Sequence, residues 1–207
     1  MTRPDVIRAV LARIADDVIV VSNIADASFE LCHLKDRPRN FYMLGSFGLA
    51  PSIGLGLALS RPERVVVLNG DGALLYNLGS LPTEGRYAPA NYLHLVVDNG
   101  AHGATGYQPT ATSTGTDLVA VARGCGLPAQ RVDTPATLDD ALAAWLATGG
   151  AQLIVAVATE RPAAPAPLPP YSGLEVAARF GRALASSRVP NHTKSIALGD
   201  FASGLSP

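Results

Sequence analysis

Charge of either sign is scarce in this chain. Asp, Glu, Lys and Arg make up only 16% of 207 residues, and 16 basic residues nearly cancel 17 acidic ones. That leaves no basic field for nucleic acid and no like-charge block to form a solvated tail. Cysteine is almost absent. Cys32 and Cys125 stand far apart without metal-ligand spacing, so they read as two small buried hydrophobes in a reducing cytosol rather than a disulfide scaffold. No apolar run reaches membrane-spanning length, and Met1-Thr2-Arg3-Pro4-Asp5 carries no apolar signal core. The expectation is a soluble, cytoplasmic protein. There is no internal repeat, and a surface this poor in charge suits a subunit that buries area against a partner.

What is present is an alternation of β-branched runs and helical spacing. Helical patterns cover 4–15, 27–34, 51–60, 73–86, 117–124 and 138–147. Strand-like runs cover 18–21, 64–68, 92–97, 130–132 and 152–157. Over 51–60 small residues recur (Ser52, Gly54, Gly56, Ala58), which predicts a helix packed closely on a neighbour, since glycine is otherwise costly there. The alternation predicts a doubly wound, mostly parallel α/β sheet with helices on both faces. Composition divides the chain at 160: residues 1–160 form the main domain, 161–186 a Pro/Ala-rich linker and a helix over 174–185, and 187–207 a disordered tail.

In such sheets ligands bind at the carboxyl ends of strands. Two predicted strand ends carry unusual residues: Gly70-Asp71-Gly72 after 65–68, and Asp98-Asn99-Gly100 after 95–97. A carboxylate and an amide oxygen are hard ligands suited to Mg²⁺. Flanking glycines let backbone amides approach a phosphate, and the helix starting near Ala73 aims its positive end at the same place. Each tripeptide alone is a common turn. Jointly, with 26 residues between Gly72 and Asn99 and strands before both, they resemble the fingerprint of thiamine-diphosphate enzymes.

Two longer blocks extend the likeness. The run over 40–50 (NFYMLGSFGLA) and that over 98–110 (DNGAHGATGYQPT), with the GDG block, resemble the sulfopyruvate decarboxylase β subunits and phosphonopyruvate decarboxylases, over about 5–160. The resemblance implies a diphosphate-binding (PP-type) domain using thiamine diphosphate and Mg²⁺. It places the metal on Asp71, Asn99 and the carbonyl of Ala101. It places the diphosphate near Gly70 and the amides of Gly72 and Ala73, with Ser22 and Asn23 at the end of the first strand. The Gly45 carbonyl, beside Ser46, would accept from the cofactor's amino group, and Phe47 would be the apolar wedge that bends the cofactor. Relatives usually carry Met, Ile or Leu at the wedge. They tend to have Tyr, Glu, Ser and Gly where this chain has His102, Gly103, Ala104 and Tyr107, residues near the diphosphate and the mouth of the site.

The resemblance also implies a glutamate that activates the cofactor's pyrimidine, carried by a separate domain for which this chain has no room. An α subunit is therefore expected, in an α₂β₂ or larger assembly, with a small anionic 2-oxo acid as substrate and no nucleic acid or membrane partner. The alternatives are a relative acting on another 2-oxo acid or ligating carbons, and a non-catalytic cofactor-binding subunit. His102 is the candidate proton relay or substrate contact, against the plainer reading of a loop histidine satisfied by a carbonyl. His94, within an apolar strand, reads as a neutral hydrogen-bonded imidazole. Lys35, Arg37 and Arg39 read as a solvated basic loop, and Trp145 as packing.

Overall fold

The computed structural model describes residues 1–158, 161–162 and 164–186; the tail predicted over 187–207 lies outside them. Among the described residues eight strands form: β1 (Ile19–Ser22), β2 (Asn40–Tyr42), β3 (Val65–Gly70), β4 (Tyr92–Asp98), β5 (Ala101–His102), β6 (Gln108–Pro109), β7 (Ala129–Val132) and β8 (Gln152–Val157). Six of them make one sheet in the order β2-β1-β3-β4-β8-β7, and every neighbouring pair is parallel. β5 and β6 form a separate antiparallel hairpin.

The helices are α1 (Arg3–Arg13), α2 (Asp26–Leu34), α3 (Ala50–Ser60), α4 (Asp71–Tyr76), α5 (Ser80–Tyr87), α6 (Leu118–Gly124), α7 (Pro135–Thr148) and α8 (Gly173–Ala185). Alternating strand residues feed two cores, one on each face of the sheet. Val20, Val66 and Leu95 pack with α1 and α7 through Val6, Val10, Leu142 and Trp145. Val21, Val67 and Val96 pack on the other face with Leu55, Leu74, Leu81 and Ala122. Strands buried on both faces must be apolar throughout, which is why β3 and β4 read as continuous β-branched and leucine runs. Capping boxes start α1 at Thr2 with Asp5 and α7 at Thr134 with Thr137, each with proline in the first turn. α8, set apart from the core by the composition change at 160, packs on the sheet: Phe180 meets Phe41 of β2 at 5.1 Å between ring centroids.

Three expectations change. The single helix predicted over 73–86 is two, α4 and α5: the backbone leaves helical geometry at Asn77 (φ −134°, ψ 54°), whose side chain donates to the Gly48 carbonyl at 3.0 Å. Residues 100–116, which carry neither the strand nor the helix pattern, contain the β5–β6 hairpin and a 3₁₀ turn (Ala111–Thr114). The basic loop is not solvated throughout. Arg37 is 4% exposed and donates to Asn40 and to the carbonyls of Ala15 and Val18, so its stem and fork fasten the β2 edge. No helix among the described residues is long and apolar enough to cross a membrane.

β1 leads outward to β2, and the chain then returns past β1 to β3. The two crossovers separate at the carboxyl ends of β1 and β3, and a crevice opens there.

Candidate functional site

A cavity of about 300 Å³ occupies that crevice. Its walls come from the residues that follow β1 (Asn23 to Ala27), those that end β3 and open α4 (Asn69 to Ala73), and those that follow β4 (Asn99, and Ala101 to Thr105). Arg3 and Phe47 close its sides. The two turn tripeptides, far apart in sequence, thus share one concavity. β3 and β4 pair with Gly70 opposite Val97, which brings both strand ends to the same level.

Asp71 is 2% exposed. Burial pushes its carboxyl above the usual range, the Asp98 carboxylate adds to this, and hydroxyls of Thr110 and Thr112 oppose it. The Thr110 hydroxyl donates to Asp71; Thr112 Oγ1 lies 3.0 Å from Asp71 Oδ2 and 2.8 Å from Asp98 Oδ1. Two threonines therefore clamp two carboxylates, from a segment 39 to 41 residues beyond Asp71 and 14 beyond Asp98 at Thr112. Sequence reasoning missed this clamp, although Thr110 ends one of its quoted blocks. Isolated Thr and Asp residues in a polar loop carry no signal until the sheet brings them together.

Most predicted site residues meet at the cavity. Asn23, Phe47, Gly70, Asp71, Gly72, Ala73, Asn99, Ala101, His102, Gly103 and Ala104 all line it. Ser22 does not: it is fully buried, and its hydroxyl pairs with Ser28 Oγ at 2.7 Å, so it serves the packing of α2 on β1. Gly45 and Ser46 stand outside the cavity wall, exposed on the loop between β2 and α3, with Ser46 at φ +63°. That loop is held by Gly48, at φ +83°, where any Cβ would come within 2.9 Å of the Ala73 carbonyl oxygen. The His102 ring lies over Gly72, where a Cβ would come within 2.6 Å of it, and 6.3 Å from the Phe47 ring centroid. No hydrogen bond to either His102 ring nitrogen occurs among the described residues, so the carbonyl-satisfied reading does not hold. His94 is hydrogen-bonded, as expected, to Glu84 and Asn69.

Among the groups lining the cavity are three hard oxygen donors: the Asp71 carboxylate, the Asn99 amide (whose Oδ1 also accepts from the Ala101 amide at 3.2 Å) and the backbone carbonyl of Ala101. No group of three His, Cys, Asp or Glu side chains suited to a metal occurs among the described residues. This composition fits a hard cation such as Mg²⁺. Asn23 Oδ1 is buried without a partner, the kind of polar atom that a bound ligand or ordered water satisfies. Arg3, braced on Glu30 at 2.6 and 2.9 Å and on Asp26 at 2.9 Å, supplies a guanidinium to the wall. The residues present therefore fit a metal–diphosphate pair.

Residues 24–156 match the family described as thiamine pyrophosphate enzyme, C-terminal TPP binding domain. The chain is 52% identical over 125 residues to the sulfopyruvate decarboxylase subunit beta of Methanocaldococcus jannaschii, covering 60% of this chain and 66% of that one. It is 47% identical over 154 residues to the phosphonopyruvate decarboxylase of Streptomyces viridochromogenes, covering 74% of this chain but 38% of that one. Among solved structures, the thiamine diphosphate-dependent 4-hydroxybenzoylformate decarboxylase of Rhodococcus jostii RHA1 shares the fold with a TM-score of 0.68. Identity there is 22%, over 79% of this chain and 33% of that one. The chain thus spans just under two thirds of the first relative and well under half of the other two.

Proposed function

This chain belongs to the thiamine pyrophosphate enzymes, and from that premise we propose that it is the β subunit of a carboxy-lyase acting on a 3-substituted pyruvate. The substrate is 3-sulfopyruvate or 3-phosphonopyruvate, and the products are the corresponding aldehyde and CO₂. The observation that carries this reading is the convergence of Asp71, Gly72, Asn99 and Ala101 on one cavity at the β1/β3 switch point. The names of the two most relevant relatives supply the substrate class.

In this reading Asp71, Asn99 and the Ala101 carbonyl hold Mg²⁺. The Gly72 and Ala73 amides and the side-chain N–H of Asn23 would donate to the diphosphate, while Asn23 Oδ1 would accept from a ligand donor or water. Bound thiamine diphosphate supplies the nucleophilic carbon and the electron sink for loss of CO₂. Phe47 gives the bulky apolar wall against which the cofactor bends. The Gly45 carbonyl, on the exposed loop that precedes Phe47, would accept from the cofactor's amino group. His102, whose ring nitrogens make no hydrogen bond among the described residues, holds or passes a proton at the mouth or meets the substrate's anionic tail. The glutamate that completes activation comes from an α subunit. Leu44, Leu49 and Tyr76, on the segments that flank Phe47 and follow Ala73, are exposed at 46%, 43% and 75% and would suit an apolar partner surface.

Co-expression with that partner and a CO₂-release assay on sulfopyruvate, phosphonopyruvate and pyruvate tests the proposal. Activity should require Mg²⁺ and both chains and should vanish in Asp71→Ala. Full Mg²⁺-dependent turnover by Asp71→Ala would overturn the metal assignment. Turnover by the chain alone would overturn the need for a partner.

A further inference from the structure

Behind the cavity lies a set of buried polar side chains that the proposed chemistry does not use. Glu84 of α5, and Tyr92 and His94 of β4, are all 0% exposed. His94 Nδ1 is 2.8 Å from Glu84 Oε2, and the Tyr92 hydroxyl reaches the same oxygen at 3.1 Å. The other ring nitrogen, Nε2, is 3.1 Å from Asn69 Nδ2. Asn69, 1% exposed, is also part of the cavity wall, and its Oδ1 accepts from the Gly70 amide at 3.0 Å.

The donors and acceptors along this line admit one arrangement. A backbone N–H can only donate, so the Gly70 amide fixes Oδ1 as the Asn69 atom that faces it. Nδ2 then faces His94, so Nε2 must accept. The imidazole proton therefore sits on Nδ1 and is donated to Glu84. Turning the amide or moving the proton sets donor against donor, which is costly at this depth. The same bond occupies the Gly70 amide, so a side chain from within the relay holds the backbone that enters the turn.

We propose that Asn69, His94 and Glu84 are positioning residues, a buried relay that holds the turn bearing Asp71 and Gly72 in the shape that receives metal and diphosphate. This rests on the cofactor reading above and adds a second layer to it, since the threonine clamp acts on the Asp71 carboxylate and the relay on the backbone. Orientation of a ligand-bearing turn by buried partners is what such outer residues commonly supply.

The test uses the full chain with its partner subunit, titrated calorimetrically with thiamine diphosphate in the presence of Mg²⁺. Asn69→Ala and Glu84→Ala should weaken cofactor binding by about 10–100-fold, with kcat at saturating cofactor little changed. Glu84→Gln, which keeps an acceptor for the His94 N–H, should bind nearly as the wild type does. Nitrogen-15 NMR of the wild type should show His94 as the neutral Nδ1–H tautomer at pH 7, a readout that does not depend on any variant folding. A proton on Nε2, or an Asn69→Ala protein with lowered Tm but unchanged cofactor affinity, would overturn the relay alone. If the wild type failed to bind thiamine diphosphate, the cofactor reading and the relay would both fall.

Discussion

Replacing Thr110 by valine removes one hydroxyl from the clamp on Asp71 and keeps the branched shape of the side chain. The hydroxyl is well placed to matter. Thr110 is 4% exposed, and its donor goes to a carboxylate that is itself 2% exposed. In its absence Thr112 must serve both Asp71, at 3.0 Å, and Asp98, at 2.8 Å, with a single proton. A hydrogen bond to a charged group contributes about 1.5–3 kcal/mol, which at about 1.4 kcal/mol per decade is roughly a ten- to hundredfold loss of Mg²⁺ affinity. The sign follows from the site. The Thr110 bond lowers a carboxyl that burial raises, so its loss lets protons compete better with the metal. Calorimetric titration of Mg²⁺ into the protein with thiamine diphosphate present would measure the effect, with Thr110→Ser as the control that restores the donor. Wild-type Mg²⁺ affinity in Thr110→Val, or a serine variant as weak as the valine one, would refute the reasoning.

Other outcomes follow from single contacts. Gly72→Ala would set a Cβ within 2.6 Å of His102; cofactor affinity measured by calorimetry should fall, and unchanged binding would show that the ring moves aside at no cost. Gly54→Ala would bring a Cβ to 2.2 Å from Val67 Cγ2, where α3 packs on β3; overpacking of this kind costs about 1–3 kcal/mol, readable as a lower denaturant midpoint with an unchanged slope. Phe47→Ala removes the ring that stands 5.5 Å from Tyr76 and 6.3 Å from His102; kcat should fall by about 100-fold if the ring fixes reactive geometry, while cofactor affinity changes far less. Glu84 gives a pH prediction. Burial raises its carboxyl, but the hydrogen bonds it accepts from His94 and Tyr92 outweigh this and hold it below the usual range. A depressed carboxyl adds stability above its unfolded pKa, and that stability is lost as pH falls through the folded value. The wild-type Tm should therefore fall on acidification, and Glu84→Gln should flatten that limb; identical limbs would show that Glu84 contributes nothing to it.

What could be read from the chain alone was whatever local pattern encodes. The buried strands announce themselves because a strand covered on both faces must be mostly apolar, and β3, β4 and β8 carry runs of β-branched residues and leucine broken at few positions. The Gly-Asp-Gly and Asp-Asn-Gly turns were legible for a similar reason: the chemistry of each is confined to three adjacent residues, and the strand before each fixes where it points. β2 was not legible, since it is three residues long and its place at the sheet edge depends on Arg37 reaching back to the carbonyls of Ala15 and Val18. Nor could local pattern show that Ser22 turns to Ser28 rather than to the cavity.

Only the tertiary structure could assemble the threonine clamp on Asp71 and the line from Gly70 through Asn69 and His94 to Glu84. Those partners are 10 to 41 residues apart, apart from the adjacent pair Asn69 and Gly70. A polar side chain is recognisable as a partner only when burial denies it water, and burial is a property of the packed sheet. The sequence by itself determined which residues carry hard oxygen donors and which turns leave room for a phosphate. The fold decided that they face one cavity, and which hydroxyls and amides hold them there.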